Sequence, residues 1–172
     1  NETAPYKSLR RKIEEYGVPT VLLRRGMQVD MGNGAVLEVL YPDRDVSRIK
    51  DANDASIVLR LTYRGKSFLL TGDSTVRVEG RVLQYGTESV MSDVLKLGHH
   101  GSRTSTGATF LAAVQPSYAI VSVGAGNQYG HPHPEVVARI FVREVELLRT
   151  DQNGRVTFYV NREGEMEVFT QK

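Results

Sequence analysis

All four histidines of this 172-residue chain fall in two short strings, Gly98-His99-His100-Gly101 and Gly130-His131-Pro132-His133-Pro134. A carboxylate, Asp73, closes an apolar run in Leu69-Leu70-Thr71-Gly72-Asp73, and the histidine pair closes another in Val94-Leu95-Lys96-Leu97. A strand-like run that stops at a small residue followed by an ionisable one puts that side chain at a sheet edge, where α/β proteins bind their ligands. Imidazole nitrogen and carboxylate oxygen are the donors that zinc and manganese take, and a carboxylate has two oxygens with which to bridge a metal pair. Asp73, His99 and His100 are therefore candidate metal ligands and catalytic residues. Glycines on both sides of the pair leave room for other groups. The same residues also read more plainly: a His pair after a strand can be an exposed loop, and Thr-Gly-Asp a simple turn.

Further candidates flank these. Ser102, Arg103 and Ser105 follow the pair in a Gly-bounded loop, where hydroxyls and a guanidinium suit phosphate binding; a loop capping the next helix is the alternative. His131 and His133 suit proton donation or phosphate contact, since imidazole titrates near neutrality; the alternative is a Pro-stiffened cap of the helix that begins at Pro134. His131 is carried as a catalytic candidate and His133 as a substrate-binding one.

The elements that must position these groups are legible in outline. Tyr6, Leu9, Ile13 and Tyr16 recur at helical spacing between Pro5 and Gly17. Thr20 to Leu23, Met27 to Asp30 and Ala35 to Tyr41 read as strands, the last two joined by Gly32-Asn33-Gly34. Pro42 to Asp54 reads as a polar loop. Ile57 to Tyr63 and Ser67 to Thr71 form a second hairpin that delivers Asp73. Ser74 to Tyr85 is a helix with Val76, Val82 and Leu83 on one face; Thr106 to Val114 is another, stopped by Pro116. Tyr118 to Val123 is apolar enough for a strand buried on both faces, and a helix follows from Pro134. Leu147 to Leu148, Gly154 to Val160 and Met166 to Thr170 are strands, the last two turning at Arg162-Glu163-Gly164. Asn53, Asp54, Ser56 and Asp151 to Gly154 form turns that hold backbone near the site. Hairpins first and strand-helix alternation later predict one 1–172 domain of α/β (α+β) type, a mixed sheet flanked by helices.

Composition bounds the rest. Length suits one domain. The 22 basic and 20 acidic residues leave a net +2, which by itself names no nucleic-acid partner, and the absence of cysteine confines any metal to His, Asp and Glu. No apolar run reaches the ~18 residues of a membrane span, so the piece reads as soluble, and its start at Asn1 reads as a cut from a longer precursor. No nucleotide cofactor is indicated.

Asp73 at its Leu-Leu-Thr-Gly-Asp strand end, Asp93-Val94-Leu95-Lys96-Leu97-Gly98-His99-His100-Gly101-Ser102 and Gly130-His131-Pro132-His133-Pro134 resemble, in order, the C-terminal metallo-β-lactamase-like domain of the ComEC family of DNA-uptake competence proteins. The likeness runs from about Asn53 to Asn153. It implies a partial αββα sandwich, with Asp73 bridging two divalent metals (zinc or manganese in a complete domain, weakly held or absent in this chain), and His99 or His100 as a further ligand with the other facing substrate; His99, which comes first off the strand, is the preferred ligand of the two. The family's His-x-His-x-Asp-His string is absent, so the remaining N-terminal part of the domain is an expected partner. The implied function is a metal-dependent nuclease or phosphodiesterase of a membrane DNA-internalisation protein, with DNA as partner, transmembrane segments in the parent and this domain on the outer side of a bacterial plasma membrane. Two alternatives stand beside it: a hydrolase of the same fold with a small or cell-surface substrate, and a non-catalytic fragment that binds DNA or a protein.

Overall fold

The computed structural model describes residues 3–172. Seven strands form one sheet in sequence order: β1 (Gln28–Gly32), β2 (Ala35–Tyr41), β3 (Val58–Tyr63), β4 (Lys66–Leu70), β5 (Val94–Lys96), β6 (Tyr118–Val121) and β7 (Glu146–Arg149). The first four are an antiparallel meander; from β4 onward every pairing is parallel. Parallel neighbours need crossovers, and the chain supplies them as helices. After α1 (Ala4–Glu15), they are α2 (Val76–Leu83) between β4 and β5, α3 (Ala108–Val114) between β5 and β6, and α4 (Pro134–Phe141) between β6 and β7.

These three helices share one core. Val78 and Val82 of α2, Phe110, Leu111 and Val114 of α3, and Val136 and Ile140 of α4 pack with Leu40, Leu69, Leu95, Ala119 and Val121 of the sheet. At ~25 cal/mol per Å² of apolar surface removed from water, that shared layer is the main stabiliser of the strand ends. The opposite face carries a hairpin, β8 (Arg155–Val160) with β9 (Met166–Gln171), preceded by a short helix, α5 (Thr150–Asn153). Phe158 of β8 packs edge-on against Phe68 of β4 and Tyr118 of β6, at centroid distances of 5.8 and 5.5 Å. The layers are thus helices, a mixed sheet, and a second β layer reduced to a hairpin, which is the expected partial αββα arrangement.

Four local expectations change. Thr20 to Leu23 forms no strand: Val21 and Leu22 are exposed and no ladder pairs with them, and an apolar run without a partner strand has no hydrogen bonds to gain. Helix α1 forms where its periodicity places it, yet none of its residues is buried, because the pattern offers an apolar face and cannot guarantee a surface to receive it. On α2 the inward residues are Val78 and Val82, while Val76, the first residue of the helix, is half exposed. In β6, Ala119 and Val121 are buried but Tyr118 and Ile120 only partly, since the hairpin covers less of that face than a full sheet would. In addition, Asp151 to Asn153 lie in α5 rather than in an open turn.

Candidate active site

Asp73, the histidine pair and the His-Pro-His string come together because they follow β4, β5 and β6, three adjacent parallel strands whose C-terminal ends open on one edge. Gly72, at φ +57°, turns the chain out of β4 against Ser56. The amide of Asp73 donates to the Ser56 hydroxyl at 3.1 Å, so the segment after the 3-10 turn Asn53–Ala55 does hold backbone beside the site.

The turn after β5 is tighter than its sequence suggests. His99 (φ 44°, ψ 46°) and His100 (φ 54°, ψ 29°) are both left-handed, a region that non-glycine residues rarely enter and that costs roughly 1–3 kcal/mol at each. The surroundings over-determine it. His99 N donates to Gly72 O at 3.2 Å, Ser102 N to His99 O at 2.9 Å, and His133 N to Gly101 O at 2.9 Å. Ser105 Oγ donates to Gly98 O at 2.7 Å and Gly98 N to Thr106 Oγ1 at 3.2 Å. Backbone strain retained by so many bonds is typical of groups held for chemistry.

The reversal separates the two imidazoles. His100 Nε2 lies 3.6 Å from Asp73 Oδ1, and its Nδ1 is 2.7 Å from the carbonyl of Ser122, just past β6. A carbonyl can only accept, so Nδ1 donates there and Nε2 is the nitrogen that faces Asp73. This is how metal-ligating histidines are oriented. His99 points the other way, its Nδ1 3.5 Å from Thr104 Oγ1 and its ring edge-on to His131 at 5.7 Å. His131 in turn meets His133 edge-on at 4.9 Å. Burial first, then the neighbouring imidazoles of His133, His99 and His100, hold the His131 pKa below the ordinary histidine value, which favours the form that can accept a proton.

Ser102 and Ser105 face inward. Ser105 is fully buried, bonded to Gly98 O and to Ser102 O, and Ser102 Oγ pairs with Thr104; both hydroxyls brace the loop. Arg103 is exposed, 3.9 Å from Glu135, and remains the loop's solvent-facing cation. Three contributors escaped the sequence reading. Lys96 donates from Nζ to Gly72 O (3.1 Å) and Leu97 O (3.0 Å); burial lowers its pKa while the Asp73 charge opposes that shift. Ser122 acts through a backbone carbonyl, for which no residue type is a signal. Glu79 of α2 accepts the amides of Thr106 and Gly107, closing the loop from behind.

Asp73 and His100 supply two donors that fit a divalent metal. Among the described residues no group of three or more His, Cys, Asp or Glu is arranged to hold a metal ion.

Parallel strand ends bearing a carboxylate and imidazoles, on a sheet backed by helices on one face and a β layer on the other, define a partial metallo-β-lactamase-type fold. A solved structure described as a metal-dependent hydrolase from Parabacteroides distasonis matches 82% of this chain and 61% of its own, with a TM-score of 0.51 at 14% identity. No family model matches the chain. Curated relatives do: ComE operon protein 3 of Bacillus subtilis is 42% identical over 118 residues, 68% of this chain. Competence protein ComA of Neisseria gonorrhoeae is 44% identical over 66% of the chain, and Recombination protein 2 of Haemophilus influenzae 34% over 75%. The chain belongs to the ComEC family of competence proteins. The matched regions are 15%, 16% and 16% of those relatives' lengths. No helix among the described residues is long and apolar enough to cross a membrane.

Proposed function

We propose that this chain forms part of a metal-dependent nuclease site, hydrolysing phosphodiester bonds of a DNA strand handled by a membrane DNA-uptake protein at the outer side of the plasma membrane. The observation that carries this reading is the oriented pair, His100 Nε2 at 3.6 Å from Asp73 Oδ1 with Nδ1 tied to Ser122 O. A structural hydrogen bond would not require an imidazole held in left-handed backbone with its second nitrogen facing a carboxylate. In this reading His100 and Asp73 are the donors, and His99 faces substrate beside His131. The carboxylate and the imidazole would hold zinc or manganese, which would supply Lewis acidity toward a phosphodiester oxygen.

His131, half-buried among other imidazoles that hold its pKa below the ordinary value, is suited to take a proton from the attacking water. Arg103 is placed to neutralise a non-bridging phosphate oxygen. Lys96, bonded to the Gly72 carbonyl, holds the Asp73 turn against β5. Catalytic zinc takes at least three protein ligands plus water, so the remaining donors come from outside this chain, and the isolated chain is a poor catalyst. The test is metal-dependent release of nucleotides from single-stranded DNA by a full-length protein carrying this region. Activity that requires zinc or manganese and is lost in Asp73→Ala, with the protein still folded, supports the reading. Turnover unchanged in that variant would reduce Asp73 to a turn residue, and DNA binding without any turnover would leave a binding module.

A further inference from the structure

Beside the His100 and Asp73 pair lies a pocket of about 310 Å³, bounded by His100, Ser122, Val123, Asn127, Tyr129 and His131. That volume is at the lower limit of ligand-sized pockets, roughly 300–1,000 Å³, and suits one planar ring system. The wall that sets its character is Tyr129. Its side chain is 68% exposed, and its plane lies within 29° of the His131 ring at 5.8 Å. The segment that carries it is held firmly: Asn127 donates from Nδ2 to His131 O at 2.8 Å and accepts from His131 N at 3.0 Å through Oδ1. Across the pocket, Thr150 Oγ1 donates to Val123 O at 2.8 Å and accepts from Val123 N at 2.7 Å. An exposed aromatic face fixed by backbone bonds loses little entropy when something stacks on it.

We infer that Tyr129 is a stacking platform for a nucleobase of the strand engaged at the His100 and Asp73 pair, and that the pocket beside it takes one unpaired base. This rests on the nuclease reading and adds to it a substrate form: a base must leave its duplex stack to reach Tyr129, so the site takes single-stranded nucleic acid. The contact is with a π-face and therefore tolerant of sequence. His131, stacked behind Tyr129, couples the base contact to the placement of the phosphate.

The experiment measures binding without turnover. A fluorescent single-stranded DNA oligonucleotide and the same oligonucleotide with abasic sites are titrated into the 172-residue chain in EDTA, for wild type and for Tyr129→Ala, Tyr129→Leu and Tyr129→Phe. Wild type and Tyr129→Phe should prefer the base-bearing strand by about ten- to hundredfold, and Tyr129→Ala and Tyr129→Leu should lose that preference while keeping the weaker affinity for the abasic strand. Equal affinity of wild type for both strands, or a preference unchanged in Tyr129→Ala, would overturn the inference. The substitutions lie on an exposed side chain, and circular dichroism of each variant verifies folding. Because EDTA removes metal, a base preference seen without any hydrolysis in the activity test would sink the nuclease reading alone. Hydrolysis without a base preference would sink this one alone.

Discussion

Replacing Glu79 by Gln should steepen the acid limb of the protein's stability, because Glu79 acts in the direction opposite to ordinary surface carboxylates. Glu79 is 3% exposed and accepts from Thr106 N at 2.5 Å and Gly107 N at 2.9 Å, serving as a cap on α3 from a neighbouring helix. Burial raises its pKa from 4.5 to about 6, against the lowering effects of those two amides and of the Arg139 charge. The protonated form is thus favoured in the folded state. Between pH 4.5 and 6 the folded chain binds more protons than the unfolded one, so stability falls as pH rises. The contribution is fully present below the unfolded value and is lost on passing the folded one. A difference of about 1.5 pH units at 1.36 kcal/mol each amounts to about 2 kcal/mol. Asp43 and Asp151, whose pKa values are lowered, act with the opposite sign, so the comparison is between wild type and Glu79→Gln under identical conditions. Urea unfolding at steps from pH 3.5 to 7.5 should show wild type losing about 2 kcal/mol relative to the variant. Parallel profiles would refute the burial argument for Glu79.

Gly101→Ala should destabilise by about 2 kcal/mol or more, because the residue sits at φ +77° and a Cβ there would meet Pro132 Cβ at 2.6 Å; thermal unfolding checks this, and a variant within 0.5 kcal/mol of wild type, a threshold for ordinary surface changes, would show that the two loops do not press on each other. Phe158→Ala removes the ring between Phe68 and Tyr118 and should cost about 2–3 kcal/mol, less than a fully buried Phe, with protease cleavage appearing first in the β8 and β9 hairpin; cleavage starting elsewhere would mean that the hairpin is held by other contacts. The isolated chain should bind zinc or manganese no more tightly than about micromolar, since two donors leave most of the coordination to water; calorimetry giving two tight stoichiometric sites would contradict the two-donor description.

The strands that deliver the site were legible because apolar runs ending in Gly72-Asp73 and Gly98-His99 leave little choice, and Gly, Asn and Pro mark the turns between them. What remained hidden was decided by tertiary context. The opposed directions of His99 and His100 depend on two consecutive left-handed residues, which the flanking glycines permit without requiring. Ser122 contributes a carbonyl that any residue could provide. Tyr129 had a weak signal, an aromatic among glycines just before His131, but nothing in its spacing says whether the ring is covered. The apolar run at Thr20 to Leu23 formed no strand, and the apolar stripe of α1, though the helix forms, found no cover, for a common reason: each pattern describes a face or an edge and not the presence of a partner.

The central claim is that the left-handed turn assigns His100 to the metal beside Asp73 and His99 to the substrate side. Metal content and hydrolysis rate, measured together for His99→Ala and His100→Ala in a full-length protein carrying this region, test it most directly. The account predicts metal loss and inactivity in His100→Ala, with metal retained and turnover reduced in His99→Ala. Metal loss confined to His99→Ala, or equal in both, would contradict it.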